Sequence, residues 1–275
     1  MADANPDREE SEPIEVRCYF VRERNALLVR GEFSSLFTDY YLHLMEHQIR
    51  YEASLDQLLK DGLAALTLYL ATRPWNEAVA WTLNWQDPLL NLFVTGSNRL
   101  GNVTGRVFTE DVKARDNNLL FAQTTVDGKA PRQSMIEVEE LDIFHVGEHL
   151  YLQSEQRLGR YFHISEEDVV LITAQPDCDL TWLKELQGDQ IRDLDQHETL
   201  SLLEKREYRF HCGCSQDRIF PLIAGMSEDS IDSLFGESET MPTGCPRCGA
   251  RFVITRESLE AFVSARKDEK SGSKE

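Results

Sequence analysis

Four cysteines near the C-terminus have the residue type and spacing of a zinc site. One residue separates Cys212 from Cys214, two separate Cys245 from Cys248, and residues 215–244 lie between the pairs. Two pairs of thiolates brought together by a loop form a tetrahedral sulfur cage, the common arrangement for structural zinc. We therefore predict that these four cysteines bind one Zn²⁺.

The segment that carries the cysteines, residues 208–265, is too short and too poor in apolar residues to fold on hydrophobic burial alone. Zinc contributes an apparent ~10–16 kcal/mol to the folding of small zinc peptides. We expect a zinc-dependent domain here, with short helices near residues 216–224 and 228–235 and a last helix from Glu257.

Zinc holds its cysteine ligands as thiolates, the form that attacks peroxides and disulfides. Oxidation to disulfides expels the metal and removes its contribution to folding, which is large beside a typical domain stability of about 5–15 kcal/mol. Cysteines within each pair are neighbours in the chain, so we expect the disulfides Cys212–Cys214 and Cys245–Cys248. An inert structural zinc, whose cysteines never cycle, stays open as the alternative.

Residues 13–174 mix helical and strand patterns without regular β-α-β alternation, which favours an α+β domain built from helices and an antiparallel sheet. Ser54 and Gln57 have capping-box spacing before an apolar helical stripe that ends ahead of Pro74. A period-two pattern then predicts strands. The predicted strands cover residues 16–21, 26–33, 79–85, 90–94, 103–108, 119–125, 134–138, 159–164 and 168–174, and the predicted helices residues 34–48, 54–73 and 141–156.

Residues 175–207 differ in character, because acidic residues outnumber basic ones and apolar positions are sparse. Ile191, Leu194, Leu202 and Leu203 are compatible with a helical stripe. Short helices depend on tertiary packing, so we interpret this segment as a marginal, acidic helical linker between two domains.

The formal net charge of −19 over 275 residues disfavours nucleic-acid binding, which relies on Lys and Arg. No apolar run reaches the ~18 residues of a membrane span, and we expect residues 1–12 to form a disordered acidic extension, which is unlike a secretory signal. We expect a cytoplasmic protein without a membrane or nucleic-acid partner, ending in a polar tail, residues 266–275. The chain has no phosphate-binding loop or nucleophile elbow, so we expect neither an enzyme nor an ATP-driven chaperone.

Several runs resemble the redox-regulated 33 kDa heat-shock chaperone family. They are VRGEF near Val29, DPLLNLFV, YLQSEQ ending at Gln156, and the C-terminal runs FHCGCSQDRIFPLI, MSEDSIDSLF and CPRCGARFVITRESLEAF. The likeness is strongest at the C-terminus. It departs from the family pattern after Gln156, at residues 157–160, and the linker is shorter than is usual in the family.

This resemblance implies a holdase that is inactive while zinc is bound. Oxidation then releases zinc, unfolds the linker, promotes formation of a homodimer and exposes surfaces that capture unfolding client proteins without ATP. A constitutive zinc-stapled interaction protein remains the alternative. Cys18 and Cys178 have no partner at motif spacing, and we expect ordinary packed thiols there. His43 and His47 lie four residues apart without the glutamate of a zinc protease, so we expect solvated or packed helix residues.

Overall fold

The computed structural model describes the backbone of residues 11–272 and the side chains of residues 11–264 except Glu228. The predicted acidic extension therefore lies outside the described residues apart from Ser11 and Glu12. Of the predicted polar tail, the structure describes only the backbone of residues 266–272, which continues the last helix.

The period-two segments form a single large sheet, as the α+β class requires. Its strands are β1 (Ile14–Val21), β2 (Ala26–Glu32), β3 (Glu77–Gln86), β4 (Leu89–Ser97), β5 (Asn102–Phe108), β6 (Leu119–Val126), β7 (Arg132–Glu137), β8 (Gly159–His163), β9 (Asp168–Ala174) and β10 (Leu200–Phe210). Their order is β7-β6-β3-β4-β5-β10-β1-β2-β9-β8. All neighbours are antiparallel except β5 and β10, which pair in parallel over two residues.

Three helices cover the sheet: α1 (Ser34–Glu46), α2 (Ala53–Ala71) and α3 (Ile143–Gln153). Residues 62–71 of α2 are all buried, since the helix packs on β4 and β5 and against α3. Trp81 and Trp85 from β3 fill the core beside it. These elements confirm the predicted strands and helices to within a few residues.

The predicted capping box of α2 is wrong. The N-cap is Glu52, which makes no side-chain capping bond, so Ser54 lies inside the first turn. The start of this helix is instead tied to α1, because the hydroxyls of Tyr40 and Tyr41 both donate to the Asp56 carboxylate.

The helical linker is correct for only part of its predicted length. Residues 180–197 form three short helices, α4 (Leu180–Glu185), α5 (Gly188–Arg192) and α6 (Leu194–His197), and Ile191 and Leu194 are buried as expected. Residues 200–207, however, belong to strand β10, where Leu202 and Leu203 are 49% and 58% exposed. Pairing along the whole of β1 satisfies the backbone of this segment and overrides its weak helical pattern.

The C-terminal domain contains α7 (Gln216–Ile223), α8 (Glu228–Phe235), the hairpin β11 (Thr240–Gly244) and β12 (Arg251–Thr255), and α9 (Arg256–Gly272). The three predicted helices are confirmed. The apolar core is small, as the sequence indicated, and consists of Phe220, Ile223, Phe235, Met241, Ile254 and Leu259. Over the described part of the chain, no helix combines the length and apolar character needed to cross a membrane.

Candidate metal centre

The first pair of cysteines follows the strand that joins the two halves of the large sheet. β10 ends at Phe210, two residues before Cys212. Gly213 has a φ of 67°, a conformation that glycine adopts without a Cβ clash. This turn lets Cys212 and Cys214 present their sulfurs to one point.

The second pair lies in the tight connection between β11 and β12, residues 245–250, which we call the knuckle turn. The Cys245 amide donates to the Ala250 carbonyl at 2.8 Å, and the Gly249 amide donates to the Cys245 carbonyl at 2.9 Å. Gly249 has a φ of 78°. The turn therefore depends on glycine at this position and places Cys245 and Cys248 on the same side.

The four sulfur atoms lie within 4.8 Å of one another. The Sγ atoms of Cys212 and Cys245 are 3.7 Å apart, and those of Cys214 and Cys248 are 3.5 Å apart. Four sulfurs held about 2.3 Å from a zinc ion at the corners of a tetrahedron are roughly 3.8 Å apart, whereas a disulfide needs about 2.05 Å. All four are free thiols, so the cluster has the geometry of a metal cage.

The electrostatics of the cluster are compatible with a bound cation. Hydrogen bonding with Cys212 lowers the pKa of the Cys245 thiol, whereas hydrogen bonding with the same residue raises the pKa of Cys248 and of Cys214. The thiol that ionises first is stabilised by its neighbours and opposes their ionisation. A bound metal ion would allow all four to be thiolates together, and four sulfur donors in a tetrahedral arrangement suit zinc.

The knuckle turn also contacts the N-terminal domain. His43 of α1 donates from Nε2 to the Cys248 carbonyl at 3.1 Å, because a carbonyl oxygen can only accept. Arg106 of β5 donates from Nη1 to the Cys245 carbonyl at 3.2 Å. His43 is buried and packs on the Phe210 ring, with 5.2 Å between ring centroids, which confirms it as a packed helix histidine.

Sequence reasoning missed these two contacts. The available indication was Arg106 itself, a cation in a strand whose flanking residues Gly105 and Val107 are both buried. Its partner is remote in sequence, so local spacing does not reveal it.

Arginines of the large sheet hold the linker helices in place. Arg160 of β8 donates from Nη1 to the carbonyls of Leu183, Lys184 and Leu186, at 2.9, 3.0 and 2.7 Å, where α4 ends. Arg24, in the β1–β2 turn, forms ion pairs with Asp179 and Glu198 at 2.8 and 2.9 Å. These contacts, with a small apolar cluster, fix α4–α6 against the sheet.

The other two cysteines lie outside the cage. Cys18 is buried in the main core, with its Sγ 3.6 Å from the Ala71 carbonyl, and burial raises the pKa of its thiol to about 12. Cys178 is half-buried at the start of the linker, just before α4, and burial raises the pKa of its thiol also. Neither contributes a sulfur to the cluster.

Comparison with known proteins points to one family. The family model described as Hsp33 protein matches residues 164–255. The 33 kDa chaperonin of Haemophilus influenzae (strain PittEE) is 25% identical over 86% of this chain and 92% of that protein. The 33 kDa chaperonin of Edwardsiella ictaluri (strain 93-146) is 23% identical over 90% of this chain and 94% of its own length.

The fold is also found in a solved structure. The crystal structure of the 33 kDa chaperonin (Heat shock protein 33 homolog) from Thermotoga maritima superposes with a TM-score of 0.70, covering 94% of this chain and 99% of that chain at 11% sequence identity. The resemblance predicted from the sequence runs in both domains is therefore confirmed, in sequence over most of the chain and in fold.

Proposed function

The chain is a relative of the 33 kDa chaperonins, and from this relationship and its cysteine cage we propose that it is a redox-regulated, ATP-independent holdase chaperone. In this proposal Cys212, Cys214, Cys245 and Cys248 bind one Zn²⁺ in the reduced, inactive protein. The protein acts in the cytoplasm on unfolding client proteins and carries out no catalysis.

The observation that carries the proposal is the position of the cage. It lies at the junction of three parts: a C-terminal domain with a six-residue buried core, the end of β10, and the knuckle-turn contacts with α1 and β5. Bound zinc would supply the positive charge that lets four adjacent sulfurs stay thiolates. A change at the sulfurs thus acts on both domains.

The proposed switch is oxidation of the four thiolates by peroxide. Each peroxide takes two electrons from one sulfur pair and, with two protons, becomes two waters while one S–S bond forms. Two peroxides therefore convert four thiolates to two uncharged disulfides, which no longer hold a cation. We keep the pairing Cys212–Cys214 and Cys245–Cys248, since these pairs close the shortest loops and stay close when the domain opens.

Loss of the cage removes the principal support of the C-terminal domain, because its apolar core is small. The end of β10 is then released from β5, where the pairing is short: residues 209 and 210 face β5, and the His211 amide donates to the Val103 carbonyl. Tyr208 and Phe210, which are 1% and 6% exposed in the closed form, become accessible with the apolar positions of the linker. Such newly exposed apolar surface is what an unfolding client binds, and it also provides a surface for a homodimer.

The second candidate, a constitutive zinc-stapled interaction protein, shares the cage but lacks the switch. To separate the two, zinc-loaded protein is treated with peroxide at mild heat, and released zinc and suppression of a client's thermal aggregation are measured. We expect both to rise together. The switch fails if zinc stays bound, or leaves without a gain in suppression. A Cys18→Ser, Cys178→Ser double variant is the control and should switch normally.

A further inference from the structure

Arg106 lies beside the metal centre, and the proposed switch assigns no role to its charge. Its side chain reaches from β5 to the knuckle turn and donates to the carbonyl of Cys245, a proposed zinc ligand. The guanidinium carbon lies 4.1 Å from the centroid of the Phe108 ring, which fixes the plane of the group. A Cβ built on Gly249 would lie 3.7 Å from its Nε, so the guanidinium spans the turn.

The charge of Arg106 is not neutralised by an ion pair within the described part of the chain. Among the described residues no carboxylate forms an ion pair with it, although the chain has 48 acidic residues against 29 Lys and Arg. Its Nε is buried and has no hydrogen-bond partner there. A half-buried cation of this kind is costly unless a nearby negative charge compensates it.

The reduced centre is the group that can supply this charge. Four thiolates around a divalent ion carry a net charge of −2, whereas two disulfides carry none. Attraction between Arg106 and the centre therefore exists in the reduced, metal-bound form and disappears on oxidation. The hydrogen bond to the Cys245 carbonyl directs that attraction to the knuckle turn.

The knuckle turn makes further close contacts with the N-terminal domain. A Cβ at Gly249 would meet Ile49 Cδ1 at 3.2 Å, so the backbone of the turn packs directly on the N-terminal domain. His43 contributes a second bond, to the Cys248 carbonyl. Two ligand residues of one turn are thus held by two elements of the other domain.

We propose that Arg106 is a positioning residue that senses the charge of the metal centre and locks the C-terminal domain against the N-terminal domain while the thiolates are intact. This inference rests on the proposed function, since it takes the cage as the zinc site. In addition to the four cysteines, Arg106 would then control the rate at which the centre releases zinc.

The test compares full-length, zinc-loaded Arg106→Met, Arg106→Lys and wild type, with Arg99→Met as the matched control. Arg99 is an exposed arginine whose ion-pair partner is Asp127. Zinc per chain, the rate of zinc transfer to a chromogenic chelator at low and high salt, and hydrogen exchange of residues 207–213 and 245–250 are measured.

We expect Arg106→Met to bind one zinc but to transfer it about tenfold faster at low salt, as loss of a charged hydrogen bond implies. Its two segments should exchange faster. Arg106→Lys keeps the positive charge, so its rate of zinc transfer should lie between those of Arg106→Met and the wild type. High salt should speed transfer from the wild type, because salt screens the attraction, and should leave Arg106→Met unchanged.

Equal transfer rates and equal salt dependence in wild type and Arg106→Met would overturn the inference, with the proposed function left standing. If Arg106→Met does not fold, the two remaining readouts test the inference. A zinc-transfer rate of Arg106→Lys equal to that of the wild type, together with a wild-type rate that does not depend on salt, would then overturn it. A wild-type protein that binds no zinc would instead refute the proposed function.

Discussion

The hold of Arg160 on the linker gives the most quantitative prediction. Its Nη1 lies within 3.0 Å of three carbonyls at the end of α4, and its guanidinium carbon lies 4.7 Å from the centroid of the Phe162 ring. Arg160→Met keeps an apolar stem of similar length over that ring and removes the donors and the charge.

The expected cost follows from these contacts. Nη1 has two hydrogens, so at most two of the three carbonyls accept a good bond at once. A charged hydrogen bond contributes about 1.5–3 kcal/mol, and a cation at a helix C-terminus about 0.3–1 kcal/mol. Since the side chain is half-buried, we take the low end and expect a loss of about 2–3 kcal/mol in the local stability of α4–α6, or a roughly 30- to 150-fold increase in opening.

Hydrogen exchange of residues 178–198 in the reduced, zinc-loaded protein measures this opening, with Arg99→Met as control. We also expect Arg160→Met to suppress aggregation at a lower peroxide dose than the wild type, because the linker is already loosened. Unchanged exchange in this segment would show that Arg160 does not anchor the linker.

Three further predictions concern the cysteines and the knuckle turn. Cys245→Ser removes one ligand and should weaken zinc binding by more than the ~10–100-fold typical of losing an outer-shell partner. Hydrogen exchange of residues 208–263 in reductant should also become faster. If zinc stoichiometry and affinity match those of the control variant Cys178→Ser, Cys245 is excluded as a ligand. Burial raises the pKa of the Cys18 thiol to about 12, so only a fraction of about 10⁻⁴ of this thiol is ionised at pH 8. Mass spectrometry after iodoacetamide treatment of the native protein should therefore find Cys18 unmodified, and rapid labelling would contradict its burial. Gly249→Ala places a Cβ 3.2 Å from Ile49 Cδ1 at a φ of 78° and should speed zinc transfer to a chelator. The control Gly128→Ala, at a φ of 74° with open space around it, should cost about 1–2 kcal/mol of backbone strain without changing that transfer. Equal rates of zinc transfer from both variants would show that the contact with Ile49 is unimportant.

Much of the fold follows from the sequence because its patterns are local. Trp81, Leu83 and Trp85 alternate with less buried residues along β3, and the apolar stripe of α2 recurs at helical spacing. The cage follows from the sequence for a similar reason, since each half is set by a short turn. Spacing within the pairs was enough to predict that four sulfurs meet.

The failures concern interactions between segments distant in sequence. In β10, buried Arg206, Tyr208 and Phe210 alternate with exposed or half-buried residues, but this period-two pattern is short and includes a charge. Arg206 is accommodated because it donates to the carbonyls of Leu70 and Arg73 at the end of α2, which the local pattern does not show. The contacts of His43 and Arg106 with the knuckle turn were missed on the same grounds.

Zinc release and chaperone activity, measured simultaneously, show whether the cysteine cage is a redox switch. During a peroxide time course on one sample, zinc release is followed with a chromogenic indicator while aggregation of a thermally unfolding client is followed by light scattering. We predict that suppression rises in step with zinc release and is reversed when reductant and zinc are restored. Full suppression by protein that still holds its zinc, or complete zinc release without suppression, would show that the cage does not control chaperone activity.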